Sequence, residues 1–134
     1  MKLRRLLNHL PTGMLSGIVL AAILWLTLAP HPTGDVEIPL FPGADKIVHA
    51  LMFFGLTAAF LVDIMRFRRW HEISLLVIGG SALASALIGI AVELAQNAMG
   101  LGRSMELMDI IADCAGAFIA AAIWALTQQR WAAK

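Results

Sequence analysis

The 134-residue chain is 60% hydrophobic and only 14% charged, with a mean hydropathy of +0.80 and a formal net charge of +1. A soluble domain carries about a quarter charged residues, so this composition excludes an ordinary soluble fold and points to a membrane protein. The scattered basic residues come with no recognition motif, which argues against nucleic acid, and the single cysteine, Cys114, excludes an intrachain disulfide.

The first apolar segment covers residues 14–29, contains no charge and stops at Pro30 and Pro32. At roughly 16 residues it is just under the ~17–25 of a spanning helix, and residues 10–13 are expected to extend it. A signal peptide is the competing reading, because Lys2, Arg4 and Arg5 precede an apolar core ending in Thr27, Leu28 and Ala29. The core is long for that purpose, has no clear A-x-A site and meets Pro30 at once, so it is read as a retained helix. The second segment spans residues 44–64, the third 73–98 and the fourth 107–127. Runs near twenty residues are too long for buried strands, and each crosses a hydrocarbon core about 30 Å thick at about 1.5 Å per residue. The expectation is an all-α, four-helix transmembrane bundle forming one domain over residues 1–134.

Lysine and arginine in the connections set the expected orientation. The N-terminus carries Lys2, Arg4 and Arg5, the second connection Arg66, Arg68 and Arg69, and the tail Arg130 and Lys134. The other two connections offer only Lys46 and Arg103, and the first is acidic through Asp35 and Glu37. Both termini are therefore expected in the cytoplasm, with Trp25, Trp70, Trp124 and Trp131 mostly near segment ends as interfacial anchors.

This topology gathers the polar residues of the last three segments at the outer face. Asp45 and His49 are four apart and share one helix face with Lys46 beside them; Asp109 and Asp113 are also four apart, and Glu93 and Gln96 are three apart. Arg103 lies in the connection between them. Ser81, Ser85 and Gly89 form a small-residue row that Glu93 continues, and Ala112, Gly116 and Ala120 form another beside Asp109 and Asp113. Close packing along these rows would bring three carboxyl groups together, with Arg103, Lys46 and His49 as the available cations. Charge in a bilayer is costly and tends to face a bundle interior or a watery cavity, so the cluster is a candidate site.

The stretch Asp45, Lys46, Ile47, Val48, His49, followed by Phe53 and Phe54, resembles the opening motif of the VanZ-like family. Glu93 to Gln96, then Gly102 and Arg103, then Asp109 through Gly116, resemble its second motif, so the likeness covers residues 45–120. The family pattern reads approximately D-K-x-x-H, E-x-x-Q, G-R and D-[IL]-x-x-N-x-x-G. This chain departs from it at Asp113, where the family usually has asparagine. The resemblance implies a small bacterial integral membrane protein, the founding member being linked to low-level resistance to the glycopeptide teicoplanin.

Bland explanations stand beside each candidate. Asp45 and Asp109 suit early helix turns through the dipole, Lys46 can snorkel, Glu93 can hold helices together, and Cys114 fits ordinary packing beside Asp113. No G-x-S-x-G, H-E-x-x-H or Walker loop supports an enzyme. Asp45, His49, Glu93, Asp109 and Asp113 are plausible metal ligands, but a helical D-x-x-x-H is common by chance, and no metal or cofactor is assigned. The expected partners are membrane lipids together with an envelope lipid, a lipid-linked cell-wall precursor or a glycopeptide-type ligand at the pocket. The alternatives are an intramembrane hydrolase of a lipid-linked phosphate or ester, with His49 as general base, and a bundle whose polar residues only join helices. Polar groups are sparse in the inner halves, apart from Asp63 and Ser74, which argues against a transport path. The oligomeric state is not legible.

Overall fold

The computed structural model describes residues 2–29, 41–100 and 106–132. The described residues are helical, with no strands. They form α1 (Lys2–Asn8), α2 (Met14–Leu28), α3 (Ala44–Phe67), α4 (Leu75–Met99) and α5 (Leu107–Thr127), closed by a 3-10 turn at Gln128–Arg130. Three helices are long and apolar enough to cross a membrane: Ala44–Phe67, Leu75–Met99 and the continuous run Leu107–Arg130. Their outer surfaces are oily, with Leu76 and Leu126 more than four-fifths exposed, as expected where the surroundings are lipid.

The first segment departs from expectation. Residues 10–13 do not extend it, because Gly13 sits at φ 83°, a left-handed conformation that separates α2 from α1. The 15 residues of α2 rise only about 22 Å at 1.5 Å each, short of a hydrocarbon core. The basic N-terminal stretch, whose charge sets the expected orientation, is itself the short helix α1. Pro30, Pro32, Asp35 and Glu37 of the first connection, Arg103 and Lys134 lie outside the described residues.

Local sequence explains the other boundaries. Gly43 at φ 84° opens α3, Ser74 caps α4 by accepting from the Val77 N–H at 3.3 Å, and Gly100 at φ 63° closes α4. Between α3 and α4 the chain turns through Arg69 (φ 54°) and Trp70 (φ 68°), two non-glycine residues in the left-handed region. Such a turn survives only where its surroundings fix it. The Trp70 indole is buried, donates to Asn8 Oδ1 at 2.8 Å and carries the Arg4 guanidinium 4.7 Å from its ring centre. Trp70 is thus part of a core rather than an interfacial anchor, while Trp25 and Trp131 are 62% and 53% exposed.

Helices α3 and α5 run side by side in the same direction, and α4 returns antiparallel to both. The α3–α5 approach is extreme at Gly116, where a Cβ would lie 1.9 Å from the Ala50 carbonyl oxygen. Only glycine permits that contact. At mid-depth Thr57 Oγ1 donates to Ser85 Oγ at 2.8 Å, joining α3 to α4. Below it lies an apolar core that includes Leu61, Met65, Ile73, Ile78, Ala82 and Ala117. Gln128 exchanges two hydrogen bonds with the Ile73 backbone, at 2.9 and 3.1 Å, fixing the far end of α5.

The helix ends that carry Arg66 and Asp63 form the basic end of the bundle. Asp63 is buried, and its Oδ2 accepts from the Ser16 N–H and Oγ at 2.9 and 2.7 Å. Its Oδ1 accepts from Arg66 at 2.8 Å, and Arg66 also donates to the Leu10 carbonyl. Because Gly13 has no side chain to cap α2, an acid on α3 does so from across the interface.

Candidate functional site

The opposite end, where α3 and α5 begin and α4 finishes, carries the two motif helices in the register the spacing predicts. Asp45, Lys46 and His49 stand on the first turns of α3, Asp109 and Asp113 on those of α5, and Glu93 one and a half turns before the end of α4. Gly89 makes the room: a Cβ there would lie 2.8 Å from Asp113 Oδ2 and 2.9 Å from Asp113 Cβ. Gly89 of the α4 row therefore faces α5, while Ser85 of the same row meets Thr57 of α3 and Gly116 of the α5 row also faces α3.

The site has two layers. In the outer one the Lys46 ammonium reaches Asp45 and Asp109, both at 2.7 Å, and also Glu106. In the inner one His49 Nδ1 lies 2.9 Å from Asp113 Oδ1 and 3.8 Å from Glu93 Oε1, and His49 Nε2 lies 3.8 Å from Asp109 Oδ2. Glu93 and Asp113 are fully buried, while the side chains of His49 and Asp109 each keep 12% exposure, so the layer opens to the surface on their side. An ionised Asp113 can only accept, and against it Nδ1 would carry the proton and leave the lone pair on Nε2.

Hydrogen bonding in this layer is incomplete. Among the described residues, Glu93 Oε1 and Oε2 and Asp113 Oδ2 have no hydrogen-bond partner; the Glu106 backbone N–H lies near Glu93 but short of hydrogen-bond geometry. Asp109 Oδ1 has no partner of hydrogen-bonding angle, yet Lys46 Nζ at 2.7 Å is an ion-pair contact and satisfies it electrostatically. Buried polar atoms without partners are rare and costly, and in an apolar bundle more so.

Asp45, Lys46, His49, Glu93, Asp109 and Asp113 are thus brought together. Gln96 is buried nearby but spends its amide on the Thr27 carbonyl at 2.7 Å, tying α4 to the end of α2. Arg103 is outside the described residues. Glu106, not singled out from the sequence, joins the outer layer; its three-residue spacing from Asp109 at the head of a helix is the signal that could have found it. A separate cavity of about 640 Å³ lies at the basic end, lined by Arg4, Leu7, Trp70, Trp124 and Trp131 among others, and shares no residue with this cluster.

These features define a small helical membrane protein with a buried acid–histidine cluster at one end of its long helices. The chain matches the family described as VanZ/LLP1 over residues 7–128, nearly its whole length, and belongs to that family. No curated protein and no solved structure matches it.

Proposed function

We propose that this is a multi-pass protein of the bacterial inner membrane, with both termini cytoplasmic and the His49 cluster facing outward, where it interacts with an envelope ligand. The ligand class is the polar part of an envelope lipid, a lipid-linked cell-wall precursor or a glycopeptide-type molecule, held in a pocket built by Asp45, Lys46, His49, Glu93, Arg103, Asp109 and Asp113. One observation carries the reading: two fully buried acids, Glu93 and Asp113, keep unpartnered oxygens among the described residues beside a histidine that reaches the surface. Acids that serve only to join helices would be matched within the bundle.

The test substitutes Glu93→Gln and Arg103→Gln and measures both folded yield in detergent and sensitivity of the host to envelope-directed antibiotics. Normal yield with altered sensitivity is expected. Parallel loss of yield and sensitivity would leave only a structural role, and unchanged sensitivity at normal yield would exclude an envelope ligand at this pocket. Orientation is read from an alkaline phosphatase fused at the Arg66–Arg69 turn: it should be inactive, and activity there would invert the arrangement.

A second reading is supported by the 2.9 Å contact between His49 and Asp113, the form of a general base oriented by a carboxylate. It is a hydrolase of a lipid-linked phosphate or ester. Purified protein would then turn over such lipids in a His49-dependent way, and inactivity across a panel of head groups would reject it.

A further inference from the structure

Among the described residues, two groups of acidic and histidine side chains each bring three ligand atoms within 4.8 Å of one another: Asp45, Glu106 and Asp109, and below them His49, Glu93 and Asp109. The outer group already holds a cation, the Lys46 ammonium, in contact with all three of its carboxylates. The two groups share Asp109, whose Oδ1 is taken by Lys46; Glu93 of the inner group has no lysine or arginine partner among the described residues. Among the described residues, Glu93 and the neighbouring Asp113 have only the His49 ring as a potential cationic partner, which also lies 3.8 Å from Asp109 Oδ2. Even as an imidazolium, His49 would set one positive charge against the two buried carboxylates of Glu93 and Asp113, and it would leave both Glu93 oxygens and Asp113 Oδ2 without hydrogen bonds.

We propose that His49, Glu93 and Asp109 form a binding site for one divalent transition cation, with Asp113 orienting the His49 ring from behind. The ring geometry fits this division. Nδ1 is engaged by Asp113 at 2.9 Å, which leaves Nε2, facing Asp109 Oδ2 at 3.8 Å, as the ligand atom; Glu93 Oε1, now 3.8 Å from Nδ1, would swing along the ring to meet the ion. A carboxylate on the far nitrogen of a metal-bound histidine is the usual second partner; it fixes the tautomer and raises the basicity of the ligating nitrogen. Ligands about 2.0–2.2 Å from a tetrahedral ion stand roughly 3.4 Å apart, so the three atoms, now within 4.8 Å of one another, would draw together by up to about 1.4 Å on binding. Glu93 supplies the strongest reason for an ion. It is 0% exposed, it points at His49, and neither oxygen is matched among the described residues.

One imidazole with carboxylates suits Zn²⁺ or Mn²⁺. Ca²⁺ takes about six to eight oxygens, and Mg²⁺ keeps several waters. Three protein ligands leave a coordination position open on the side where His49 and Asp109 reach the surface. A cation there would also let an otherwise acidic pocket accept an anionic group such as a phosphate. The metal site does not depend on the proposed envelope ligand, and its test contains no lipid, so the two fail separately.

The full chain, purified in detergent and stripped with EDTA, is dialysed against Zn²⁺ or Mn²⁺ alone, and bound metal is counted by mass spectrometry. One ion per chain is expected. Glu93→Gln, His49→Gln and Asp109→Asn should each lower affinity more than about 100-fold, and Asp113→Asn roughly 10- to 100-fold as an orienting partner. Glu72→Gln, an exposed acid at the basic end, should leave it unchanged. X-ray absorption of the zinc-loaded wild-type protein gives a readout independent of any variant's folding: one imidazole with oxygen neighbours. Substoichiometric binding by the wild type, binding that survives both Glu93→Gln and Asp109→Asn, or a sulfur or multi-imidazole shell would each overturn the site.

Discussion

Two buried acids at opposite ends of the bundle, Asp63 and Glu93, show how differently a membrane helix can carry a carboxylate. Asp63 is matched on both oxygens, by Arg66 on one and by the Ser16 N–H and hydroxyl on the other; the one loose atom there is Arg66 Nε. Glu93 is equally secluded and has no hydrogen bond on either oxygen among the described residues. The first arrangement stabilises: it neutralises charge, caps α2 and joins three stretches of chain. The second contributes nothing evident to stability, which is why it reads as a site. Family membership alone could not have drawn this distinction, since it says nothing of which acid is satisfied.

The largest expected effect tests the matched acid. Asp63→Ala should cost about 3–5 kcal/mol, because it strands the buried Arg66 charge and uncaps α2. Glu93→Gln should cost less than about 1 kcal/mol, or stabilise, since it removes a buried charge that lacks a partner. Thermal unfolding in detergent, followed by tryptophan fluorescence, measures both. Similar losses in the two variants would erase the contrast between the ends and turn the Glu93 cluster into helix adhesive.

A smaller effect, on the order of 1–3 kcal/mol, is expected at the contact that sets the site's width. Gly116→Ala would drive a methyl into the Ala50 carbonyl at 1.9 Å, and a backbone neighbour cannot swing aside. Helices α3 and α5 must then move apart just below His49 and Asp113, so stability and metal affinity should fall together. Gly17→Ala, in α2, meets nothing within 4 Å and should be neutral or slightly stabilising. Loss of stability with metal affinity intact would separate the site from this contact.

Much of this was legible in the chain itself. The long apolar runs give α3, α4 and α5 within a few residues, because length and apolarity suffice to define a membrane helix. The four-residue spacings of Asp45–His49 and Asp109–Asp113, and the row from Ser81 to Glu93, bring the right side chains to one end because helical periodicity is rigid. What stayed hidden depends on contacts between segments. No spacing reveals that Asp63 caps α2 in place of a side chain Gly13 lacks, that Gly116 serves α3 rather than α4, or that Lys46 reaches Asp45, Glu106 and Asp109 but not Glu93. The break at residues 10–13 was signalled by Pro11 and Gly13, but their effect depended on a left-handed Gly13 that composition does not specify.

The smallest expected effect concerns Gln96, which the motif groups with the site and the structure joins to α2. Its amide donates to the Thr27 carbonyl at 2.7 Å, so Gln96→Leu should cost about 1 kcal/mol or less, in line with single hydrogen bonds between membrane helices. Bound zinc should be unchanged within error in the same preparation. A clear fall in metal affinity would move Gln96 from the adhesive half of the comparison into the site. A loss of stability alone would show that one motif holds residues of both kinds, three positions apart on a single helix: Glu93 kept for a ligand, Gln96 for a neighbouring helix.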